Sequence, residues 1–277
     1  MEVCLLTHYY CNRELKSCVD FDGELFQNQT CIYEVIRVIN SKPLFLNEHL
    51  ERFSSSLALS SISSNLSINQ IKYNLKQLIE VNNLRDGNIK FILISFPNGK
   101  NDFYCWVSPH KYPTEFLYEN GVNCSLMMAS RNQPNAKTIN SKLIKKASLT
   151  IKNTDTFEVI LFNEFNIISE GSKSNLFFVL DNKIYTSTDD QVLMGISRAK
   201  VIEICDYLKI ELVRKLINID EMGKFTAAFL SGTSIKVLPI KSIESTKYDS
   251  TNDMLSIISN EFDKQINNNL SAFEWNL

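Results

Sequence analysis

The sequence predicts a mixed α/β chain of the α+β kind, with a small N-terminal α+β domain over residues 1–112 and a larger C-terminal α/β domain over residues 113–277. Three observations predict it. Alternating β-branched runs bounded by turn residues recur along the chain, several of them spaced as hairpins. Segments of helical period with one apolar face lie between them. The stretch His110-Lys111-Tyr112-Pro113-Thr114 is the best linker candidate, and 277 residues suffice for two ordinary hydrophobic cores.

Residues 32–38 alternate and are β-branched, which predicts a strand. Asn40-Ser41-Lys42-Pro43 predicts a turn, and residues 44–46 a short second strand completing a hairpin. Asn47 is a candidate N-cap for a helix carrying His49, Leu50, Arg52, Phe53 and Leu57. A second helix begins at Ser67, with Ile71, Leu75, Leu78 and Ile79 on one face. Residues 90–96 and 103–107 read as strands flanking an Asn98-Gly99 turn.

In the second part a strand at 122–128 precedes a polar loop at 131–135 and a helix at 141–153. Strands follow at 157–162, 167–168, 176–180 and 183–185, the last after an Asp181-Asn182 turn. A helix from Ser197 carries Val201, Ile204, Cys205 and Leu208 on one side. Residues 210–215 are strand-like, 219–224 form a short helix, and the apolar strand 227–231 ends in Gly232-Thr233-Ser234. The tail, residues 254–268, is amphipathic and helical, and no repeat of fixed period is found.

Apolar content of 44% and charged content of 22% belong to a globular chain. A net charge of −2 without a basic face points away from nucleic acid and anionic membranes, and no apolar run is long enough to span one. The seven cysteines are odd in number, scattered and free of Cys-x-x-Cys, so neither a disulfide framework nor a metal site is expected and a reducing cytoplasm fits better. No secretory leader is recognised. Asn28-Gln29-Thr30 and Asn65-Leu66-Ser67 match the glycosylation sequon, as chance provides in a chain rich in Asn and Ser.

Four places could carry chemistry. Lys137 follows a polar loop and precedes a helix; it is a candidate amine nucleophile or a surface lysine, with Lys142, Lys145 and Lys146 close behind. Glu170 follows Ile167-Ile168-Ser169 at a strand end, where a carboxylate can enter a cleft or simply occupy a turn. Gly195-Ile196-Ser197-Arg198 opens a helix, so glycine, a capping serine and the first free N–H groups suit a phosphate, and equally an ordinary capped helix. Ser231-Gly232-Thr233-Ser234 is a second small-residue turn whose hydroxyls and N–H groups could complete an anion cup. Arg52 could add a bidentate charge, and Tyr33 could face a pocket or the core. A lysine, a carboxylate and a helix start in that order are what a pyridoxal phosphate site needs.

Together these residues resemble the class IV, or fold type IV, pyridoxal-phosphate-dependent aminotransferases, the family of branched-chain aminotransferase, D-amino acid aminotransferase and aminodeoxychorismate lyase. The resemblance runs from about residue 23 to residue 245. It rests on Tyr33-Glu34-Val35-Ile36-Arg37-Val38 with Glu48-His49-Leu50-Glu51-Arg52-Phe53, on Lys137-Thr138-Ile139-Asn140, on Glu170-Gly171-Ser172-Lys173-Ser174-Asn175, on Gly195-Ile196-Ser197-Arg198 and on Gly232-Thr233-Ser234. It implies a pseudo-barrel C-terminal domain, the cofactor pyridoxal 5'-phosphate and a homodimer. It also implies roles. Lys137 is the Schiff-base lysine and proton shuttle, with Lys142 a rival that lacks the x-x-Asn pattern. Glu170 pairs with the pyridine nitrogen, and Leu193 packs under the ring. Arg52, the backbone at Ile196 and Ser197, and the Gly232-Thr233 turn hold the phosphate. Tyr33 lies on the substrate side. The implied reaction moves an amino group between an amino acid and a 2-oxo acid; the alternative is elimination of pyruvate from aminodeoxychorismate to give 4-aminobenzoate. Two departures stand out. Gln27-Asn28-Gln29-Thr30-Cys31 replaces the family's Gly-Asp-Gly turn. The Phe96–Lys100 turn offers only Lys100 where the D-amino acid enzymes carry an Arg and a His.

Overall fold

The structure, a computed structural model, describes every residue except Met1, Asn28, Asn132 and Leu277. Asn28 of the first sequon and Asn132 of the expected polar loop therefore lie outside the described residues. The chain falls into two compact units: Met1–Lys111 with Ala136–Ser141 and Ile266–Leu277, and Tyr112–Asn135 with Lys142–Gln265.

The first unit contains β1 (Leu5–Cys11), β2 (Glu14–Ser17), β3 (Thr30–Ile39), β4 (Lys42–Pro43), α1 (Leu46–Leu59), α2 (Ile68–Val81), β5 (Gly87–Ser95) and β6 (Asn101–Ser108). Its antiparallel sheet has the order β2-β1-β6-β5-β3-β4. Successive side chains on a strand face opposite ways, and both faces of this sheet are covered. Ile32, Ile36, Val38, Ile89 and Phe91 pack with α1 and α2 through Leu50, Phe53, Leu75 and Leu78, all buried. Tyr9, Phe26, Cys31, Ile92, Ile94 and Trp106 form a second, aromatic cluster. Phe26 and Trp106 stack there at 5.1 Å.

The expected hairpin after β3 exists, with a different division. Asn40 and Ser41 take positive φ of 49° and 59° and make the two-residue turn, so the return strand is Lys42–Pro43. Leu46 is already helical. The helix is not capped by Asn47: the N-cap position is Phe45, at φ 52°, with no side-chain cap. The Phe45 N–H instead donates to Asn269 Oδ1 at 2.9 Å, and the buried Phe45 ring anchors the turn. Ser67 does cap α2, accepting from the Gln70 N–H at 3.1 Å.

The second unit contains α3 (Glu115–Asn120), β7 (Val122–Met128), α4 (Ser141–Thr154), β8 (Glu158–Phe162), β9 (Ile167–Gly171), β10 (Asn175–Leu180), β11 (Lys183–Thr186), α5 (Ile196–Leu208), β12 (Leu212–Arg214), β13 (Ile217–Asn218), β14 (Ala227–Gly232), β15 (Lys236–Ile243), β16 (Thr246–Lys247) and α6 (Asp253–Ser271). The last turns of α6, from Ile266, belong to the first unit. The sheet runs β12-β11-β10-β14-β15-β7-β8-β9-β13, with β16 on β15. Its core joins Ile160, Leu176, Phe178, Leu230, Leu238 and Ile240. Met127, Leu143, Ala147 and Val159 form a smaller cluster where α4 meets β7 and β8. Residues 219–224 form a single 3-10 stretch started by an Asn218–Glu221 capping box.

The cysteine reading needs one correction. No framework of bridges is present among the described residues, but Cys4 and Cys18 form a disulfide, their Cα atoms 5.8 Å apart. The pairing of β1 with β2 and the 3-10 turn at Cys18–Asp20 bring together two cysteines whose spacing in sequence carries no signal. Cys11, Cys31, Cys105, Cys124 and Cys205 are free. No helix among the described residues is long and apolar enough to cross a membrane.

Candidate active site

In the first unit, Lys137 lies along the free edge of β3. Thr138 makes an antiparallel bridge to Ile32, the Tyr33 N–H donates to the Lys137 carbonyl at 3.1 Å, and the Ile139 N–H donates to the Cys31 carbonyl at 3.1 Å. The Lys137 N–H donates to Ser56 Oγ on α1 at 3.1 Å. This short segment is therefore fixed as an added strand, and the side chain leaves it in a defined direction. The Lys137 ammonium sits 4.7 Å from the centroid of the Tyr33 ring, a cation–π contact. Lys142, by contrast, is exposed near the start of α4.

Tyr33 and Glu34 face opposite sides of the sheet. Ile32, Glu34, Ile36 and Val38 share the face packed on α1, and all are fully buried. A carboxylate on an apolar strand face must find partners, because an unpaired buried charge is expensive. Glu34 has three such contacts. Arg52 grips it with Nε on Oε1 at 2.8 Å and Nη2 on Oε2 at 2.6 Å. His49 Nδ1 lies 2.7 Å from Oε2. His49 and Arg52 are one turn apart on α1 and so reach the same point. Burial opposes ionisation of Glu34, but the Arg52 guanidinium and the His49 bond hold its carboxyl down at about 2. Burial, helped by the nearby Arg52 and Lys137 charges, lowers the proton affinity of His49 against the pull of Glu34. A neutral imidazole beside an ionised carboxylate must carry its proton on Nδ1. Its Nε2 is then a buried acceptor without a hydrogen-bond partner among the described residues.

The second unit assembles a different group at one end of its sheet. Glu170 is the penultimate residue of β9, and its carboxylate is buried. Oε1 accepts from Arg131 Nε at 2.8 Å. Oε2 accepts from Asn175 Nδ2 and from the Leu193 N–H, each at 3.0 Å. Arg131 also donates to the Ser172 carbonyl at 2.8 Å. Asn175 opens β10 and donates again to the Leu193 carbonyl at 2.9 Å. It is thus the hinge pin between Glu170 and the segment leading into α5. Gly195 is required there: a Cβ on it would come within 2.0 Å of Asn175 Oδ1. Across the strand pair, Asn175 faces Ser231, so the Gly232-Thr233 turn begins at the same sheet end.

Ser197 is not the helix cap. The N-cap is Gly195, with no side-chain cap, and Ser197 is the second helical residue. Its Oγ and that of Ser231 are buried and lack a hydrogen-bond partner among the described residues. Two such hydroxyls, with the first N–H groups of α5, are the donors an oxyanion would satisfy. Arg198, beside them, is turned to other work, donating to the Ser187 carbonyl at 2.9 Å and to Asp189 at 2.7 Å.

Of the residues singled out in the sequence, Tyr33, Arg52 and Lys137 gather in the first unit. Glu170, Leu193, Ile196, Ser197, Gly232 and Thr233 lie in the second, linked through Asn175. Lys100, the one cation offered by the Phe96–Lys100 turn, is exposed and pairs with Asp102 at 3.4 Å. Sequence reasoning assigned no part to Glu34, His49, Arg131 and Asn175. Only Glu34 carries a local signal, a charge on an otherwise apolar strand face.

The model of the amino-transferase class IV family matches residues 31–243, which takes in every one of these positions. The chain belongs to the class IV amino-transferases. D-alanine aminotransferase of Bacillus licheniformis is 27% identical over 237 residues, covering 82% of this chain and 83% of that protein. Aminodeoxychorismate lyase of Bacillus subtilis is 23% identical over 255 residues, 86% of each. The structure of the Escherichia coli branched-chain amino acid aminotransferase superposes with a TM-score of 0.83 at 20% identity, covering 98% of both chains; that likeness is one of fold, fold type IV. The chain is therefore an enzyme of a family that uses pyridoxal phosphate on amino acids and keto acids.

Proposed function

We propose that this protein is a pyridoxal-phosphate-dependent aminotransferase that moves an amino group between an amino acid and a 2-oxo acid, with Lys137 as its reacting amine. The observation that carries the reading is the fixed Lys137 segment, which is bonded to both β3 and α1 and sets one ammonium against the Tyr33 ring. The unpartnered hydroxyls of Ser197 and Ser231 and the buried, fully hydrogen-bonded Glu170 fit the phosphate and the pyridine of the cofactor.

When bound, pyridoxal phosphate supplies an electron sink for charge released at the substrate Cα. The chain's own residues do the rest. Lys137 would hold the cofactor through its side-chain amine and would carry the proton between the substrate Cα and the cofactor. Glu170 would be the partner of the ring nitrogen; Arg131, Asn175 and the Leu193 N–H keep its carboxylate aimed. Leu193 would pack against the cofactor. Arg52, the Ile196 and Ser197 N–H groups and the Gly232-Thr233 turn hold the phosphate. Tyr33 would lie on the substrate side. The working form is a homodimer, as in the family.

The test is direct. Incubation with pyridoxal phosphate should give a visible absorbance that borohydride bleaches, and peptide mapping should find the label on Lys137. A label on another lysine, or none, overturns the reading. The likeness to aminodeoxychorismate lyase favours a second reaction on the same residues. Pyruvate release from aminodeoxychorismate without a keto acid acceptor would select it.

A further inference from the structure

The start of α1 is held by Asn269, a residue 224 positions further along the chain. Phe45 is the N-cap residue of α1, yet its backbone is left-handed, at φ 52°. That region is disfavoured for any residue with a Cβ and persists only where the surroundings impose it. A phenyl side chain accepts no hydrogen bond from a helix N–H, so the position also forgoes the usual cap. Its surroundings do impose the conformation. The preceding Leu44 N–H donates to the Arg37 carbonyl at 2.8 Å, and the Phe45 ring is buried. The Phe45 N–H itself donates to Asn269 Oδ1 at 2.9 Å.

Asn269 is in turn fixed to the first unit. It lies near the end of α6, in the stretch from Ile266 that belongs to that unit. The next carbonyl, of Leu270, accepts from Lys42 Nζ on β4 at 2.7 Å. Phe273 and Trp275 meet edge to face at 5.1 Å and pack on the cluster that contains Leu50, Phe53, Leu75 and Leu78. The Asn276 carbonyl accepts from Lys72 Nζ on α2 at 3.4 Å. From Phe45 the way to Glu34 is short. The Phe45 carbonyl accepts from the His49 N–H at 3.1 Å, the first hydrogen bond of α1. His49 Nδ1 meets Glu34 Oε2, and Arg52, one turn on, grips both oxygens of the same carboxylate. A single residue, Phe45, thus separates the Asn269 amide from the main chain of His49.

We propose that Asn269 is a positioning residue for Arg52: by holding Phe45 left-handed it sets where α1 begins, and with that the places of His49 and Arg52 against Glu34. The significance of Arg52 rests on the aminotransferase reading, in which it holds the cofactor phosphate; the effect on His49 does not. The physical basis is helix register. Each residue of shift turns the side chains of a helix by about 100°, so a helix that must deliver two side chains to one buried carboxylate needs a defined first turn. His49 stands in that turn. The Arg52 fork meets the carboxylate in a bidentate geometry that accepts only one approach. Leu50 and Phe53 keep α1 on the sheet whatever its first turn does, so loss of the Asn269 bond disturbs placement before it disturbs the fold.

The experiment uses the full chain and two readouts. One is the nitrogen NMR spectrum of the His49 imidazole in the cofactor-free protein, assigned among the three histidines with His49→Gln. The other is the affinity for pyridoxal phosphate by absorbance titration. The parent should show a neutral ring protonated on Nδ1. Asn269→Leu, which removes the acceptor at similar volume, should average the His49 signal between tautomers. It should also weaken cofactor binding about fivefold, as loss of one hydrogen bond predicts, with turnover at saturating cofactor changed less than about twofold. Asn269→Asp keeps an oxygen at the Phe45 N–H, on the favourable end of the α1 dipole, and should restore both readouts. A merely structural bond would lower the unfolding midpoint of Asn269→Leu and leave the His49 signal and the affinity as in the parent, which overturns the proposal. An altered His49 signal with unchanged affinity overturns the role assigned toward Arg52, and so does an Asn269→Asp protein that behaves as Asn269→Leu. Should Asn269→Leu fail to fold, Asn269→Gln, whose amide is one methylene out of place, decides by the same two readouts. If the parent binds no pyridoxal phosphate, the aminotransferase reading falls, while the His49 spectrum still decides for or against Asn269.

Discussion

Glu34 in the first unit and Glu170 in the second are both buried carboxylates gripped by an arginine, and their remaining partners differ in kind. Glu34 is met by side chains from α1: both contacts of Arg52 and the His49 ring. Glu170 has one contact with Arg131, and its other oxygen takes the Asn175 amide and the Leu193 main-chain N–H. In the first region the carboxylate fixes a cation, and Arg52 is what gains a defined orientation. In the second region fixed dipoles and a cation fix the carboxylate. A helix supplies the one arrangement because residues a turn apart converge. Strand ends and a tight glycine turn supply the other because they bring main-chain donors to a point.

The largest effect expected is on Lys137, which stands beside the first of these regions. Lys137→Ala should lower turnover by about 10^4-fold or more, as loss of a covalent nucleophile and proton carrier does. The backbone bonds of residues 137–139 to β3 and Ser56 do not need the side chain. The thermal unfolding midpoint of the cofactor-free protein should therefore move little, and a large drop in it would mean that Lys137 is structural.

Next come the two carboxylates themselves, which should separate by readout. Glu34→Gln leaves the buried His49 and the largely enclosed Arg52 without their anion and should lower unfolding stability by about 3 to 5 kcal/mol in urea titrations. Glu170→Gln should be felt chiefly as an about 10^2-fold fall in turnover, because Arg131 is near enough to solvent to be rehydrated. Equal losses of stability in the two variants would erase the contrast. The pH dependence sharpens it. Glu34 has a folded value near 2, below its ordinary 4.5, so its contribution is complete above 4.5 and is lost as pH falls toward 2. His49, lowered from 6.5, stays neutral in the fold while the unfolded chain takes up a proton, so stability also declines below 6.5. Glu34→Gln should remove the lower of these two declines.

Much of the frame was legible in the sequence, and the reason is local. The strand at 122–128 has the bounds expected because its apolar residues Val122, Cys124 and Met127 are buried while Asn123 and Met128 are exposed. The Asp181-Asn182 turn takes φ of 50° and 59°, the conformation these residues favour. β1 was missed because it is irregular, with Leu6 at φ 65° and a register shift against β6. β15 was missed because Pro239 sits inside it, opposite Phe229. At the site, the sequence exposes residues whose types suit a chemistry, such as Lys137 and Glu170. It hides those that matter through a partner far along the chain. Arg131 is one polar residue in a polar loop, and Asn269 is one of three successive asparagines until the start of α1 is brought beside it.

A smaller effect tests the geometry of the second region. Gly195→Ala places a methyl against Asn175 Oδ1, and either that side chain moves, loosening its bonds to Glu170 and to Leu193, or the start of α5 shifts. Overpacking of this kind costs about 1 to 3 kcal/mol. The unfolding midpoint should fall, and Asn175→Ala added to Gly195→Ala should restore part of it. No restoration would mean that the glycine serves another contact.

The smallest effects concern the two unpartnered hydroxyls, and here the sign matters more than the size. In the cofactor-free protein a buried hydroxyl without a partner is unfavourable, so Ser197→Ala and Ser231→Ala should each leave stability unchanged or raise it by up to about 1 kcal/mol. If the proposed phosphate site is right, the same hydroxyls would have an oxyanion to serve with pyridoxal phosphate present, and each variant should bind the cofactor about three- to tenfold more weakly in an absorbance titration. The added stability that saturating cofactor confers should shrink in proportion. Opposite signs in the two states are what a preformed anion site requires. If both variants bound the cofactor as tightly as the parent, the hydroxyls would be core atoms, and the phosphate would have to be held by main-chain N–H groups and Arg52 alone.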